Sequence, residues 1–140
     1  MVVDHIFTAA RFGLDYERLR IEASSHNIAI ANTPNQPGHP ARLMRVSAPY
    51  AASFNAMIGE TGHSLPSQPV MLATDATARE EHEPSDPAAD KNGMVSYPRV
   101  DMVTEMSTLM EASRAYEANV RAFNTLRSMA LHALDMGGNA

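Results

Sequence analysis

Two long stretches of the chain, one at each end, repeat apolar residues at the spacing of an amphipathic α-helix. In residues 100–136, alternating steps of four and three meet mostly apolar side chains, and no glycine or proline interrupts the pattern. The positions are Met102, Met106, Leu109, Ser113, Tyr116, Val120, Phe123, Arg127, Ala130 and Leu134. Asp101 is a suitable N-cap for this helix, and Gly137 with Gly138 is a suitable end.

The N-terminal stretch has the same spacing from Val3 onward and predicts a second long helix. The positions are Phe7, Ala10, Leu14, Glu17, Ile21, Ser24, Ile28 and Ala31. Asn32 can adopt the left-handed conformation that ends helices, and Pro34 prevents continuation of the helix. We therefore predict an N-terminal helix within residues 1–34, with Asn32 as its cap, and a C-terminal helix within residues 100–140.

The segment between the helices, residues 35–99, contains all but one of the nine prolines. Its apolar residues come in short groups separated by turn-forming residues, which predicts a small, loop-rich insert. The candidate strands are residues 42–46, 69–74 and 94–97. Residues 75–92 are rich in acidic side chains and are interpreted as a solvated loop, which ends in a tight turn at Asn92 and Gly93.

These elements predict a mainly α fold in which the terminal helices pair antiparallel as a coiled-coil-like hairpin and form one helical domain. A hairpin of two helices leaves much of its apolar surface unburied, so we expect other subunits to pack along its length. The predicted subunit-interface residues are Phe7, Leu14, Ile21, Ile28, Met106, Leu109, Tyr116, Val120, Phe123 and Leu134.

Composition and motifs offer little support for catalysis or ligand binding. A net charge of -5 without a basic block disfavours nucleic acid as a partner. The apolar runs are too short to insert in a membrane, and no cleavable secretory signal is recognisable. The six histidines lack metal-site spacing, and the chain has no cysteine, no phosphate-binding glycine loop and no nucleophile elbow. We predict no catalytic, cofactor-binding or metal-binding residue.

Three segments resemble one family. Residues 112–120, which read ASRAYEANV, together with residues 105–106, resemble the C-terminal signature of the FlgC family of flagellar basal-body rod proteins. Residues 84–87, which read PSDP, resemble a segment before the C-terminal helix that is peculiar to this family. Residues 27–29 and 31–33 resemble the motif that ends the N-terminal helix throughout the flagellar rod and hook proteins.

The resemblance implies a non-catalytic subunit of the proximal rod, which transmits torque through helix-packed contacts in the periplasmic part of the basal body. It implies export by the flagellar type III apparatus without a cleaved signal peptide. The implied partners are rod proteins of the FlgB, FlgF, FlgG and FliE types and further copies of the chain.

Two functions from other classes were weighed against the rod subunit. A coiled-coil adaptor or secretion chaperone would share the amphipathic ends but would form a discrete oligomer. A peptidoglycan-cleaving enzyme would need paired carboxylates in a pocket. The acidic segment has the carboxylates, but it has little apolar scaffold to hold them.

Overall fold

A computed structural model describes residues 2–36, 39–48 and 68–137. The elements, in chain order, are α1 (Val2–Ile30), β1 (Arg42–Ser47), β2 (Val70–Asp75), β3 (Ala78–His82), β4 (Met94–Pro98) and α2 (Met102–Gly137). The mainly helical fold with small antiparallel sheets between the helices is confirmed, and so are the three predicted strands, each to within one residue. The last residue of α2 is Gly137, one of the two glycines predicted to end this helix, and Gly138 lies outside the described residues.

The two helices lie side by side and run in opposite directions. Phe7, near the start of α1, packs edge-on against Phe123 in the C-terminal half of α2, with 5.5 Å between the ring centroids. Further along α1, the Arg20 guanidinium lies 3.8 Å from the Glu111 carboxylate, twelve residues earlier in α2. The two helices are therefore antiparallel, and the start of α1 lies beside the C-terminal half of α2.

The strands form two separate hairpins instead of one small sheet. β1 pairs antiparallel with β2, with Met44 opposite Ala73, and β3 pairs antiparallel with β4, with Glu80 opposite Ser96. The chain passes from β2 to β3 through residues 76–77 alone.

β3 corrects the interpretation of residues 75–92 as a solvated loop. The side chains of β3 are mostly charged, so its sequence lacks the apolar pattern of a strand. The apolar surface of this hairpin comes from β4, whose Val95 and Tyr97 are buried. The Arg79 guanidinium lies 5.0 Å from the centre of the Tyr97 ring, so a charged residue of β3 also covers the aromatic residue opposite it. Backbone pairing with β4 and the contact between Arg79 and Tyr97 stabilise a strand that the polar sequence alone did not predict.

The predicted tight turn at Asn92 and Gly93 is confirmed. The Gly93 N–H donates to the Asp90 carbonyl at 3.0 Å, and Gly93 has a φ of 76°, which is strained for any residue with a Cβ. The Asp90 carboxylate accepts hydrogen bonds from the backbone N–H groups of Met94 and Asn92. These bonds lower the pKa of Asp90 below its ordinary value.

The end of α1 differs from the prediction for Asn32. No residue other than glycine has a positive φ in the described part of the chain, so Asn32 does not adopt the left-handed conformation. The last turn instead tightens, with the Ala31 N–H bonded to the Ile28 carbonyl and the Thr33 N–H bonded to the Ile30 carbonyl at 2.9 Å. These i to i+3 bonds satisfy the last carbonyls without a left-handed cap.

The buried apolar core of the described residues is small. It consists of Ala23, Ala31, Val95, Tyr97 and Ala112. Most large apolar side chains of the two helices are half-buried or exposed. None of the described helices combines the length and apolar character needed to cross a membrane.

Candidate subunit interface

The face of α2 that packs within the chain is displaced by one residue from part of the predicted stripe. Glu105 and Ala112 are buried, whereas Met106, which the stripe contains, is 49% exposed. Seven residues beyond Ala112, the Asn119 side chain contacts α1. Because one residue turns a helix by about 100°, this displacement moves the predicted apolar positions to the side of the contact.

The same displacement occurs on α1. Asn27 is fully buried while its neighbour Ile28 is half-buried. Gly13 contacts α2, and its neighbour Leu14 is again half-buried. A Cβ atom on Gly13 would lie 3.2 Å from the Asn119 Nδ2 atom, so the missing side chain permits close approach of the helices here. A small residue, Gly13, and a polar one, Asn119, thus face each other between the helices, and the larger apolar Leu14 and Val120 lie next to them in sequence and are half-buried.

The predicted interface residues therefore fall into two groups. The half-buried group is Phe7, Leu14, Ile21, Ile28, Leu109, Tyr116, Val120 and Phe123. The exposed group is Met106 and Leu134, and Leu134 is 71% exposed. Of these residues, Phe7 and Phe123 are in direct ring contact with each other. Their contact with other subunits stays a prediction.

Asn27 binds the first hairpin to α1. Its Oδ1 accepts a hydrogen bond from the Met44 N–H at 2.7 Å, and its Nδ2 donates to the Met44 carbonyl at 3.0 Å. A side-chain amide that pairs with both polar groups of one strand residue replaces a neighbouring strand, so it closes this edge of β1. His26 lies beside it, with Nε2 3.2 Å from the Arg42 carbonyl.

Glu105 binds the same strand to α2. Its Oε1 accepts a hydrogen bond from the Arg45 guanidinium at 2.8 Å, although the Glu105 side chain is only 2% exposed. Its Oε2 is buried and has no hydrogen-bond partner among the described residues. The backbone of β1 is therefore bonded to α1 at Asn27, and the Arg45 side chain of β1 is bonded to α2 at Glu105. β1 thus connects the end of α1 with the start of α2.

Sequence reasoning missed the roles of Asn27, Arg45 and Glu105. Asn27 was recognised only as part of a helix-ending motif, and Glu105 only as part of the C-terminal family signature. The available signal is the spacing of Ser24, Asn27 and Ala31, where small or polar residues recur at steps of three and four. Such a stripe inside an amphipathic helix indicates a close, polar contact.

Asn35 fastens the second hairpin to the end of α1. Its Nδ2 donates to the Ser96 hydroxyl at 3.0 Å, and its backbone N–H donates to the Ser96 carbonyl at 2.7 Å. The outer edge of β4 is therefore covered at Ser96, as the edge of β1 is covered at Met44. Asn27 and Asn35 thus each cover one strand edge, Asn27 that of β1 and Asn35 that of β4.

Asp101 lies at the position predicted for the N-cap of α2. Its Oδ1 accepts from the Val103 and Thr104 N–H groups at 3.1 and 3.2 Å, and its Oδ2 accepts from the Thr104 hydroxyl at 2.7 Å. The Thr104 hydroxyl, with the two backbone N–H groups, lowers the pKa of Asp101 below its ordinary value.

Tyr97 connects the second hairpin to the turn that follows β3. Its hydroxyl donates to the Glu83 carboxylate at 3.0 Å, and this bond, with burial and nearby acidic groups, raises the pKa of Tyr97. The described residues contain no group of three histidine, aspartate or glutamate side chains suited to a metal ion. The arrangement of contacts is that of a scaffold that holds helices and hairpins in fixed relation.

Comparison with known proteins gives consistent results along the chain. A family model described as the C-terminal region of the flagellar basal body rod FlgEFG proteins matches residues 91–136. The flagellar basal-body rod protein FlgC of Salmonella typhimurium is 34% identical over 138 residues, covering 98% of this chain and 99% of the relative. FlgC of Escherichia coli O157:H7 is 33% identical, and FlgC of Bacillus subtilis is 29% identical, each over 98% of this chain and 99% of the relative.

These relatives match both helices and the hairpins between them, in order and over nearly the whole length. The chain belongs to the FlgC family of flagellar basal-body rod proteins.

Proposed function

We propose that the chain transmits torque through the proximal rod. Its helix pair packs against neighbouring subunits through its open sides, which are the surfaces that carry exposed apolar residues. As a member of its family, the chain is a structural subunit of the rod in the flagellar basal body. The proposal concerns how its residues perform that role. It rests on the apolar residues that remain uncovered beside the polar contact between α1 and α2.

The uncovered apolar surface of α2 has two parts. Near its start, Val103, Met106 and Met110 are 76%, 49% and 56% exposed and recur at steps of three and four. Near its end, Met129 and Leu134 are 62% and 71% exposed. Methionine side chains are flexible enough to pack against several non-identical neighbours, which suits a subunit that contacts more than one kind of rod protein.

The end of α2 extends past α1. Since Phe7 packs against Phe123, the start of α1 at Val2 lies opposite the region near residue 128, so no described residue of α1 lies beside the part of α2 beyond it. Residues 131–136 are all exposed. At about 1.5 Å per residue, the overhang is roughly 12 Å long, enough for two further turns of helix packing.

The helix pair forms an antiparallel coiled-coil-like hairpin in this proposal. On α2 its contact positions recur at heptad spacing from Glu105 through Ala112 to Asn119. Residues 1–34 and 100–140 are then one rod-core domain, and residues 35–99 are an insert fixed to it through Asn27 and Glu105.

Torque transmission follows from the rigidity of such contacts. The open apolar sides differ from the face that packs within the chain, so each subunit presents different surfaces to successive neighbours. Contacts of this head-to-tail kind propagate as a helix instead of closing into a discrete oligomer. A coiled-coil adaptor or chaperone would instead cover its apolar surface in a closed assembly.

The partners in this proposal are rod proteins of the FlgB, FlgF, FlgG and FliE types, further copies of the chain and the flagellar type III export apparatus. The chain acts in the periplasmic part of the rod, reaches it without a cleaved signal peptide and does not insert directly in the membrane. It carries out no catalysis and uses no cofactor, metal or nucleic acid.

Deletion of the gene tests the proposal. We expect electron microscopy of the deletion strain to show basal bodies with a membrane ring but without rod or filament, and complementation to restore both. Analytical ultracentrifugation of the purified chain separates the alternative, since a chaperone would form a discrete, stable oligomer. A deletion strain that still builds complete rods would contradict the proposal.

A further inference from the structure

The edge of β2 that faces away from β1 has no hydrogen-bond partner within the described residues. The register of β1 and β2, with the Ala76 N–H bonded to the Ala41 carbonyl, makes Val70, Leu72 and Thr74 the residues that bond to β1. The intervening residues of β2 turn their N–H and C=O groups away from β1. These residues are Met71, Ala73 and Asp75.

The same alternation is visible on the other strand and supports this assignment. Met44, which lies opposite Ala73, turns its N–H and C=O away from β2, and both are bonded by Asn27. Arg42, which lies opposite Asp75, likewise directs its carbonyl to His26. The outer edge of β1 is therefore closed, whereas no hydrogen bond to the outward backbone groups of β2 is recorded within the described residues.

The residue that follows β4 already pairs with this side of the chain just beyond β2. The Arg99 N–H donates to the Thr77 carbonyl at 2.7 Å, and Thr77 is next after Asp75 in the alternation of outward residues. The chain then leaves for α2 at residue 102. A second strand placed beside Met71 and Ala73 would continue the line of β4, with its end close to Arg99.

The side chains of β2 do not protect this edge, unlike those of β3. Natural edge strands are protected by charged residues or proline, and β3 carries Arg79, Glu80 and Glu81 in five residues. β2 has no charge before its last residue, and its apolar residues Val70 and Leu72 are 48% and 50% exposed. This composition favours pairing with another chain.

We propose that the β2 edge binds an extended segment of a neighbouring rod subunit as an added strand. The segment carries apolar side chains beside Val70 and Leu72. It carries an acidic side chain at the end that meets Arg99, which is exposed and makes no recorded ion pair within the described residues. Main-chain bonds to Met71 and Ala73 supply the affinity, and the side chains supply the specificity. This inference rests on the proposed role of the chain in the rod.

Amide hydrogen exchange of the full chain tests the added strand. In the isolated chain, the Met71 and Ala73 amides exchange rapidly, while those of Leu72 and Thr74 are protected by β1. In purified basal bodies, we expect the Met71 and Ala73 amides to exchange at least about tenfold more slowly than in the isolated chain. Equal exchange in both samples, with the chain present in the basal bodies, overturns the inference but leaves the rod role intact. Absence of the chain from basal bodies overturns both.

A proline substitution provides the second test. Ala73→Pro removes an outward N–H without removing a bond to β1, because proline is tolerated at the open edge of a strand. Ala73→Val is the matched control that keeps the N–H. We expect Ala73→Pro to be exported normally but to reduce the number of rods per cell at least tenfold, and Ala73→Val to match the wild type. Normal rod numbers with Ala73→Pro overturn the inference. The exchange measurement on the wild type decides the matter if Ala73→Pro does not fold.

Discussion

Replacing Asn27 with alanine should destabilise the chain far more than the loss of one small side chain suggests. Asn27 is fully buried, and its amide is the partner of both the N–H and the C=O of Met44. A buried backbone group left without a partner costs about 1–3 kcal/mol. With two such groups and some entry of water, we expect Asn27→Ala to lower the free energy of unfolding by about 2–4 kcal/mol.

The assay is urea denaturation of the purified chain, followed by circular dichroism. With a slope of about 2 kcal/mol per molar urea, this loss lowers the midpoint by roughly 1–2 M. The matched control is Ser25→Ala, an exposed position two residues earlier in α1, which should change stability by less than about 0.5 kcal/mol. If Asn27→Ala and Ser25→Ala have equal midpoints, Asn27 does not hold the hairpin on α1.

Asn27→Asp separates the hydrogen bonds from the packing, because aspartate has nearly the same shape. Its carboxylate can still accept from the Met44 N–H, but its second oxygen would face the Met44 carbonyl. We expect a loss at neutral pH at least as large as that of alanine. Burial raises the pKa of the introduced carboxyl, so the deficit should shrink as the pH falls through that raised pKa and the protonated acid donates to the carbonyl.

Three further substitutions test local features. A double-mutant cycle in urea should show that Gly13→Ala stabilises by about 1 kcal/mol in the Asn119→Ala background but by less in the wild type, where the new Cβ lies 3.2 Å from Asn119. Gly93→Ala should cost about 1–2 kcal/mol by thermal denaturation, because φ is 76° and the Cβ meets His82 at 3.1 Å. The lowered pKa of Asp101 gives stability above the ordinary value of 3.8 that is lost as the pH falls through the folded pKa, so Asp101→Asn should flatten the acid limb of a helicity titration.

The sequence predicted the elements with a backbone signal of their own. Apolar periodicity indicated both helices, and short apolar groups between turn-forming residues indicated β1, β2 and β4. The interpretation of the β3 segment as a loop was wrong. The residues of β3 are mostly charged, and its pairing depends on the apolar surface that Tyr97 and Val95 supply from β4. The prediction of a left-handed cap at Asn32 was wrong, because i to i+3 hydrogen bonds already satisfy the Ile28 and Ile30 carbonyls at the end of the helix.

The one-residue displacement of the helix contact could not be read from apolar periodicity. That periodicity reports where apolar side chains lie, and it predicted Met106 and Ile28. The contact within the chain uses Glu105 and Asn27 instead, because each has a hydrogen-bond partner on β1. Such partners are distant in sequence, so polar residues in a helix contact become predictable only once the strand is placed.

The most direct test of the open apolar side as a rod interface uses Leu134, which is 71% exposed. Leu134→Asp should leave the stability of the isolated chain within about 0.5 kcal/mol of the wild type, because the side chain is already in water. The matched control is Ala133→Asp, which places the same charge at the adjacent exposed position. The measurement is swimming in soft agar, with a blot for exported protein and electron microscopy of basal bodies. We predict that Leu134→Asp is exported but builds no rod and does not swim, because packing in the rod would bury the charge, while Ala133→Asp swims. If Leu134→Asp swims as the wild type does, this side of the helix is not packed in the rod and the account is wrong.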